Sequence, residues 1–280
     1  MDLIAAKTGD GDERPGNGSD ITLSRKSSEE RWPEIRARAG FATQGERASI
    51  RNLLSPDQQR QLQRIATMID YPRSGISLYW QGEEARSIYF IDQGITRISR
   101  CGENGHRQIL AFKGAGDLLG LPDDGRYANT AETVCATRVF RCPWQQVRAM
   151  MLAEPQLQLN LLTKVADQVR QAQRRIMMLG QQNIYQRLAS FLLDFVSSPE
   201  FFDERHACLN LPVSRLDLAD YLGTAPESTA RAFAKLENDG LVKRVNSRTI
   251  EILDREGLQQ LQAGRRRAHR QAVPEQPPAA

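Results

Sequence analysis

Apolar positions change their period several times along this chain. Beyond Arg51, Ser55-Pro56-Asp57 predicts the start of a short helix, with proline at its first position and Leu62 and Ile65 on one face. Short strand-like runs follow at 75–80, 87–91, 95–100, 107–112, 127–135 and 137–141, divided by glycine-containing turns. Strands this short and evenly spaced predict an antiparallel sandwich or barrel. Residues 143–151 predict a short helix. Over 155–179 the spacing becomes alternating steps of three and four, through Leu162, Val165, Val169, Ala172, Ile176 and Leu179. That is the seam of a coiled coil, flanked by Lys164, Asp167, Gln168, Arg170, Gln173 and Arg174, which suit solvent. The narrow seam predicts pairing with a second copy; packing on the chain's own barrel is the alternative. Gly180 is expected to break this helix and act as a hinge, before Ile184, Leu188, Phe191, Leu192 and Phe195 give the next helix a broad apolar face.

The stretch LPVSRLDLADYLGTAPESTARAFAKLENDG, at 211–240, reads as two short helices joined by a tight turn. Ser214 can cap the first, with Asp217 three residues on to complete a capping box. Leu216, Ala219 and Leu222 are expected on its inner face, and Gly223 where the turn needs positive φ. Pro226 suits the first turn of the second helix. That helix would show Glu227, Ser228, Arg231 and Lys235 outward, bury Thr229, Ala232, Phe233 and Leu236, and end at Gly240. Together they form a helix-turn-helix, whose second helix would be the recognition helix. Residues 241–245 and 249–253 alternate about Asn246-Ser247 as a two-stranded wing, and 257–261 can close the domain.

Bulk properties narrow the class. The 280 residues suffice for two modest domains. A net charge of +4 permits a nucleic-acid partner without requiring one. Cys101, Cys135, Cys142 and Cys208 make no CxxC pair and suggest reduced thiols in a cytoplasm. The opening MDLIAAKTGDGDERPGNGSD lacks the apolar core of a signal peptide, and no apolar run approaches a membrane span. Residues 1–48, polar and rich in Gly, Asp and Arg, read as a disordered arm, with a short helix possible over 29–38. Arg265, Arg266, Arg267 and Arg270 form a basic tail over 263–280. No nucleophile–base set, phosphate loop or metal-ligand cluster argues for an enzyme, a metal or a cofactor.

A strand-rich barrel, a pairing helix and a winged helix-turn-helix, in that order, resemble the Crp/Fnr family of bacterial transcription regulators. The resemblance covers about residues 50 to 262 and is carried by LPVSRLDLADYLGTAPESTARAFAKLENDGLV, closest to the FixK and Fnr branches, by GHRQILAFKGAGDLLGL and by YANTAETV. It implies an α+β chain: an antiparallel β-barrel of cyclic-nucleotide-binding type (jelly roll) over 49–151, a dimerisation helix over 152–180 and a winged helix-turn-helix over 181–262. It implies a homodimer on a palindromic TTGA-like site in double-stranded DNA, working with RNA polymerase. The signal would be of an oxygen, nitrogen or redox kind, or the protein's own abundance. Glu227 and Arg231, four apart on one helix face, would read one G·C pair, the guanidinium on guanine O6 and N7 and the carboxylate on cytosine N4. The alternative for that pair is an intrahelical salt bridge, which is compatible with docking. Arg215 and Ser228 match phosphate-contacting positions.

The chain departs from the family at several points. Ala230 stands where a serine precedes the recognition arginine, so the outer bases of the half-site can differ, its methyl meeting a thymine methyl. Ala225 replaces the usual cap of that helix, with Thr224 as the substitute and as a third phosphate contact beside Arg215 and Ser228. In the barrel, cyclic-nucleotide binders carry Gly-Glu and then Arg-Ser/Thr-Ala, to hold a ribose hydroxyl and clamp a phosphate. Here the positions read Gly116-Asp117 and Asn129-Thr130, a vestigial pocket without the arginine; Arg126 is nearby but off register. No cysteine precedes Cys101, against an Fnr-type iron–sulfur cluster, and His106 lies in a turn rather than at a haem site. Regulation without a small ligand is therefore the expectation, with an effector-gated sensor of the same architecture as the alternative. Cys208, just before the helix-turn-helix, is a candidate redox thiol, a structural thiol being the plainer role.

Overall fold

The computed structural model describes residues 21–24 and 54–264. The expected helix over 29–38 and the basic tail lie outside them. α1 (Pro56–Ile65) begins as its sequence predicts: Ser55 Oγ accepts from the Gln58 N–H, and the Gln58 side chain accepts from the Ser55 N–H. Two antiparallel sheets then face each other. One has the order β1 (Thr22–Ser24), β2 (Thr67–Tyr71), β9 (Thr137–Pro143), β4 (Ser87–Gln93), β7 (Leu118–Leu119). The other runs β3 (Ser77–Tyr79), β8 (Thr130–Thr133), β5 (Thr96–Cys101), β6 (Arg107–Lys113). Ile69, Ile91 and Val139 of the first sheet meet Ile98 and Ala131 of the second in one apolar layer.

Of the sandwich and barrel forms that the strand pattern allows, the roll is two facing sheets with free edges. One feature was not expected. The segment assigned wholly to a disordered arm contributes β1, which pairs along β2 with Leu23 opposite Ile69. β2 itself was missed because only Ala66 separates it from α1, so no breaker marks the change.

Helices α2 (Trp144–Ala153) and α3 (Pro155–Gln181) follow. α3 has two unlike faces. Leu162, Val169 and Ile176 are 62%, 51% and 68% exposed, so the greasiest part of the seam has no cover within one copy. Opposite them, Leu157, Leu161, Lys164 and Asp167 are buried against the roll. The expectation of a solvated Lys164 and Asp167 is thus overturned. Lys164 Nζ donates to Asp117 Oδ1 at 2.9 Å, with both side chains almost wholly buried. A lysine in a polar flank reads as solvent-facing because its partner lies far off in sequence. Gly180 does not break the helix either. α3 runs to Gln181, and the break falls at Gln182 and Asn183, where Asn183 and Gln186 form the capping box of α4 (Ile184–Val196).

The last third holds β10 (Phe202–Asp203), β11 (Cys208–Asn210), α5 (Arg215–Leu222), α6 (Pro226–Asn238), β12 (Val242–Arg244), β13 (Thr249–Ile252) and α7 (Arg255–Gln262). The wing is part of a four-stranded sheet, order β10-β11-β13-β12, rather than a lone hairpin. Leu218, Ala219 and Leu222 form the inner face of α5, while Leu216 is 68% exposed. At 100° per residue Leu216 sits far round the helix from Leu218, and its spacing of three from Ala219 does not bring it onto the buried face. The core of this region does not stop at its boundary. Leu188, Phe191, Leu222 and Phe233 join Ile95, Ile109 and Phe112 of the roll in a single cluster.

Candidate nucleic-acid interface

The interface is built on the α5–α6 turn. Ser214 Oγ accepts from the Asp217 N–H at 3.0 Å and starts α5. Gly223 ends it at φ 65°, a conformation that an L side chain resists. Pro226 then occupies the first turn of α6. Thr229, Ala232, Phe233 and Leu236 point into the core, so the sequence alone turns Glu227, Ala230 and Arg231 outward, all exposed, with Ser228 half-buried beside them. Arg231 Nη2 donates to Ser228 Oγ at 3.0 Å and makes no ion pair with Glu227. Both charges therefore remain available to a ligand. The N-cap residue Ala225 supplies no side-chain bond, and Thr224 does not replace it. The Ser228 and Thr229 N–H groups both donate to the Ala225 carbonyl at 3.1 Å, so the side-chain cap is replaced by a tightened backbone turn.

Around this helix lie further cations. Arg215 is half-buried, its guanidinium 4.2 Å over the Phe233 ring and donating to the Ser247 carbonyl at 3.3 Å. Burial, reinforced by Arg244, draws its pKa down. Arg244 is engaged by Glu237, whose carboxyl that guanidinium holds below its ordinary range. Lys243 and Arg248 are exposed on the wing. Cys208 sits half-buried on β11.

Sequence reasoning missed how α5 is anchored. Arg97 and Arg107 of the roll donate to the two oxygens of buried Asp217, at 2.8 and 2.9 Å. Arg97 also meets Glu132 at 3.1 Å. Asp220 Oδ1 accepts from the Ile109 N–H at 3.1 Å and from Gln108 Nε2 at 2.9 Å. The Asp217 carboxylate that a capping box would turn back to Ser214 goes to arginines more than a hundred residues earlier in the chain. Two acids on a short helix are the only hint the sequence offers.

The vestigial pocket is also occupied by the chain's own groups. Asp117, at the position that would hold a ribose hydroxyl, takes Lys164 on one oxygen and the Gly114 N–H on the other, at 3.0 Å. Gly116, at φ 86°, bonds to the Ile91 carbonyl, and Thr130 accepts from the Gln81 N–H. Asn129 is half-buried, and Arg126 reaches out to the Gly82 carbonyl instead of turning inward. Lys113 is buried and donates to Gln171 at 2.7 Å; burial pulls its pKa down. Among the described residues, no group of three or more His, Cys, Asp or Glu could hold a metal ion, and no helix is long and apolar enough to cross a membrane.

A cavity of about 820 Å³ opens beside this pocket, where Asn129, Gln171, Arg175, Asp194 and Tyr221 converge from the roll, α3, α4 and α5. Burial pushes the Asp194 carboxyl up to about 7, against the pull of Arg174. In the unfolded chain that carboxyl ionises near pH 4. The folded form thus holds a proton the unfolded form has lost, and this group's contribution to stability falls as pH rises from about 4 to about 7. Asp194→Asn should match the wild type in thermal melts at pH 4 and exceed it increasingly up to pH 8, by about 4 kcal/mol at most. A difference that does not change with pH would show that Asp194 is not the group responsible.

Two family models match the chain: a cyclic nucleotide-binding domain over residues 72–154 and a Crp-like helix-turn-helix domain over 186–261. The nitrogen fixation regulation protein FixK of Azorhizobium caulinodans is 30% identical over 185 residues, spanning 66% of this chain and 75% of that protein. The transcriptional activator protein FnrA of Stutzerimonas stutzeri is 28% identical over 197 residues, 69% of this chain and 79% of that one. Among solved structures, FixK2 from Bradyrhizobium japonicum superposes with a TM-score of 0.64 at 27% identity, covering 70% of this chain and 97% of that one.

Proposed function

Because the chain belongs to the Crp/Fnr family of DNA-binding transcription regulators, close to its FixK and Fnr members, we propose that it works as a homodimer reading a palindromic, TTGA-like site. In this reading the roll (49–151) senses or supports, 152–180 pairs two copies, and 181–262 reads DNA. The observation that carries it is the outward pair Glu227 and Arg231, uncoupled from each other on a helix whose other face is locked in the core. Arg231 presents a fork that fits guanine O6 and N7, and Glu227 can accept from cytosine N4. Ala230 beside them offers only a methyl. Ser228, Thr224 and Arg215 once it swings from Phe233 supply phosphate contacts, which set register and carry no sequence information.

Pairing is supported by the exposed Leu162, Val169 and Ile176, continued by Val165 and Ala172. Leu179 leaves the proposed seam: a Cβ built on Gly223 would lie 3.3 Å from its side chain, so it packs on the helix-turn-helix. Dimerisation sets two recognition helices about 34 Å apart, one DNA turn. The dimer bound at a promoter, in the cytoplasm, would meet RNA polymerase. Relatives named as regulators support a reading in which this chain works by binding rather than catalysis.

Selection of bound sequences from random double-stranded DNA tests this. The wild type should return two inverted half-sites containing TTGA, and Val169→Arg, which puts a charge in the seam, should return one. Asymmetric sites from the wild type, or paired sites from the variant, would overturn the dimeric reading.

A second reading, an effector-gated sensor, is favoured by the cavity beside Asn129. A cyclic nucleotide is a poor fit to it. The acid that would hold the ribose is already paired to Lys164, and the phosphate position carries Asn129 instead of a cation. A redox role for Cys208 would act through β11, next to the wing strand β13.

A further inference from the structure

The carbonyl ends of α3 and α5 meet beside the start of α4, and two arginines bind them together. A helix leaves its last carbonyls without intrahelical partners, and cations are favoured there by the helix dipole. Arg187, on the first turn of α4, spreads its guanidinium over three such groups. Nη2 donates to the Leu179 carbonyl in the last turn of α3 at 2.7 Å, and Nε to the Gln182 carbonyl at 2.8 Å. Nη1 donates to the Leu222 carbonyl, the last of α5, at 2.9 Å. Arg175 reaches the same helix end from α3 itself. Its Nη2 donates to the Tyr221 carbonyl at 2.6 Å and to the Ile109 carbonyl of β6 at 3.0 Å, with the guanidinium 3.8 Å over the Tyr221 ring. Consecutive carbonyls of α5 are thus held from two sides, one arginine borne by the pairing helix and the other bonded to its end. Leu179 fills the space against Gly223 between them.

This arrangement reaches the recognition helix directly, since α6 starts three residues beyond Gly223. We infer that Arg175 and Arg187 are positioning residues that fix the angle of α6 to the dimer helix, and so set the spacing between half-sites rather than the bases read within each. The inference rests on the palindromic reading above. Its physical ground is that one added base pair moves a half-site about 3.4 Å along the duplex and rotates it by about 34°. Only a rigid connection between the seam and α6 lets a dimer distinguish neighbouring spacings. A lysine at either position keeps the charge but has no planar fork with which to bridge carbonyls on different helices.

The test uses full-length wild type, Arg175→Lys, Arg187→Lys and the double variant, on duplexes carrying the selected half-site twice with the central gap varied one base pair at a time. Affinity for a single half-site and the dimer's sedimentation are measured at the same salt, and thermal melts check folding. The wild type should lose at least about tenfold in affinity one base pair from its optimum. The lysine variants should flatten this to about threefold or less while single-site affinity stays within about twofold. A double variant that failed to fold would leave the two single variants to decide. Lysine variants that keep the wild-type spacing profile would overturn the inference and leave the palindromic reading standing. So would a loss of single-site affinity with no broadening, which marks a merely structural role. A wild type with paired half-sites but no preferred spacing would also overturn it, whereas a wild type without paired half-sites would remove the palindromic reading and this inference together.

Discussion

Arg231→Ala should abolish sequence-specific binding and leave the fold and the dimer intact. The side chain is exposed and, among the described residues, bonds only to Ser228 Oγ, so truncation opens no cavity and orphans no buried group. A bidentate arginine–guanine contact contributes about 1–3 kcal/mol of discrimination, and a dimer makes it twice. Affinity for the selected palindrome should therefore fall by about 30-fold to 10⁴-fold at fixed salt, measured by titrating labelled duplex. Binding to unrelated DNA, which depends on phosphates, should hardly change. Glu227→Ala should act on the paired cytosine and relax preference there. Palindrome affinity within about threefold of wild type for Arg231→Ala would mean that another side chain reads the pair.

Lys164→Met should cost about 3–5 kcal/mol of folding stability, among the largest effects of any single change here, because it strands Asp117 as an unpaired charge in the interior. The pair itself is not expected to be strongly stabilising, since taking both ions out of water offsets much of their attraction. The double variant Lys164→Met with Asp117→Leu should accordingly recover most of the loss, provided Met and Leu fill the space. Urea unfolding of the three proteins closes this cycle. A single variant that loses under about 1 kcal/mol would show that water or a shifted Lys113 reaches Asp117. The pair ties the family's ligand position on the roll to the pairing helix, so the same variants report whether dimerisation depends on that tie.

What was legible in the sequence was what depends on neighbours in the sequence. Ser55 with Pro56, and Gly223 with Pro226, are local devices, and both helix starts formed as their residues require. The face of α6 was legible too, because Thr229, Ala232, Phe233 and Leu236 alternate with polar residues at a period only a helix uses. What escaped was set by distant partners. Lys164 and Asp167 look solvated until Asp117 and the roll are placed against them. Leu179 matches the seam's spacing, yet Gly223 claims it. Asp217 matches a capping box, yet Arg97 and Arg107 take its carboxylate. Local pattern ranks a side chain by its polarity, whereas burial is decided by whether a tertiary partner satisfies it. β2 and the C-terminal end of α3 escape for a smaller reason: Ala66 and Gln182-Asn183, where the elements change, include no glycine or proline to mark the change.

The aromatic cluster between the roll and the DNA-reading end has a consequence for how the chain comes apart. Phe112 of β6 lies edge-on to Phe191 at 6.0 Å and to Phe195 at 6.4 Å, and Tyr221 of α5 closes on both Phe112 and Phe191. Cutting the chain between α3 and α4 would bare these rings on both fragments, a sticky surface on each. Heat or denaturant should then dissolve the two ends in one cooperative transition. The helix-turn-helix end is therefore no detachable module: its solidity depends on rings that belong to the roll.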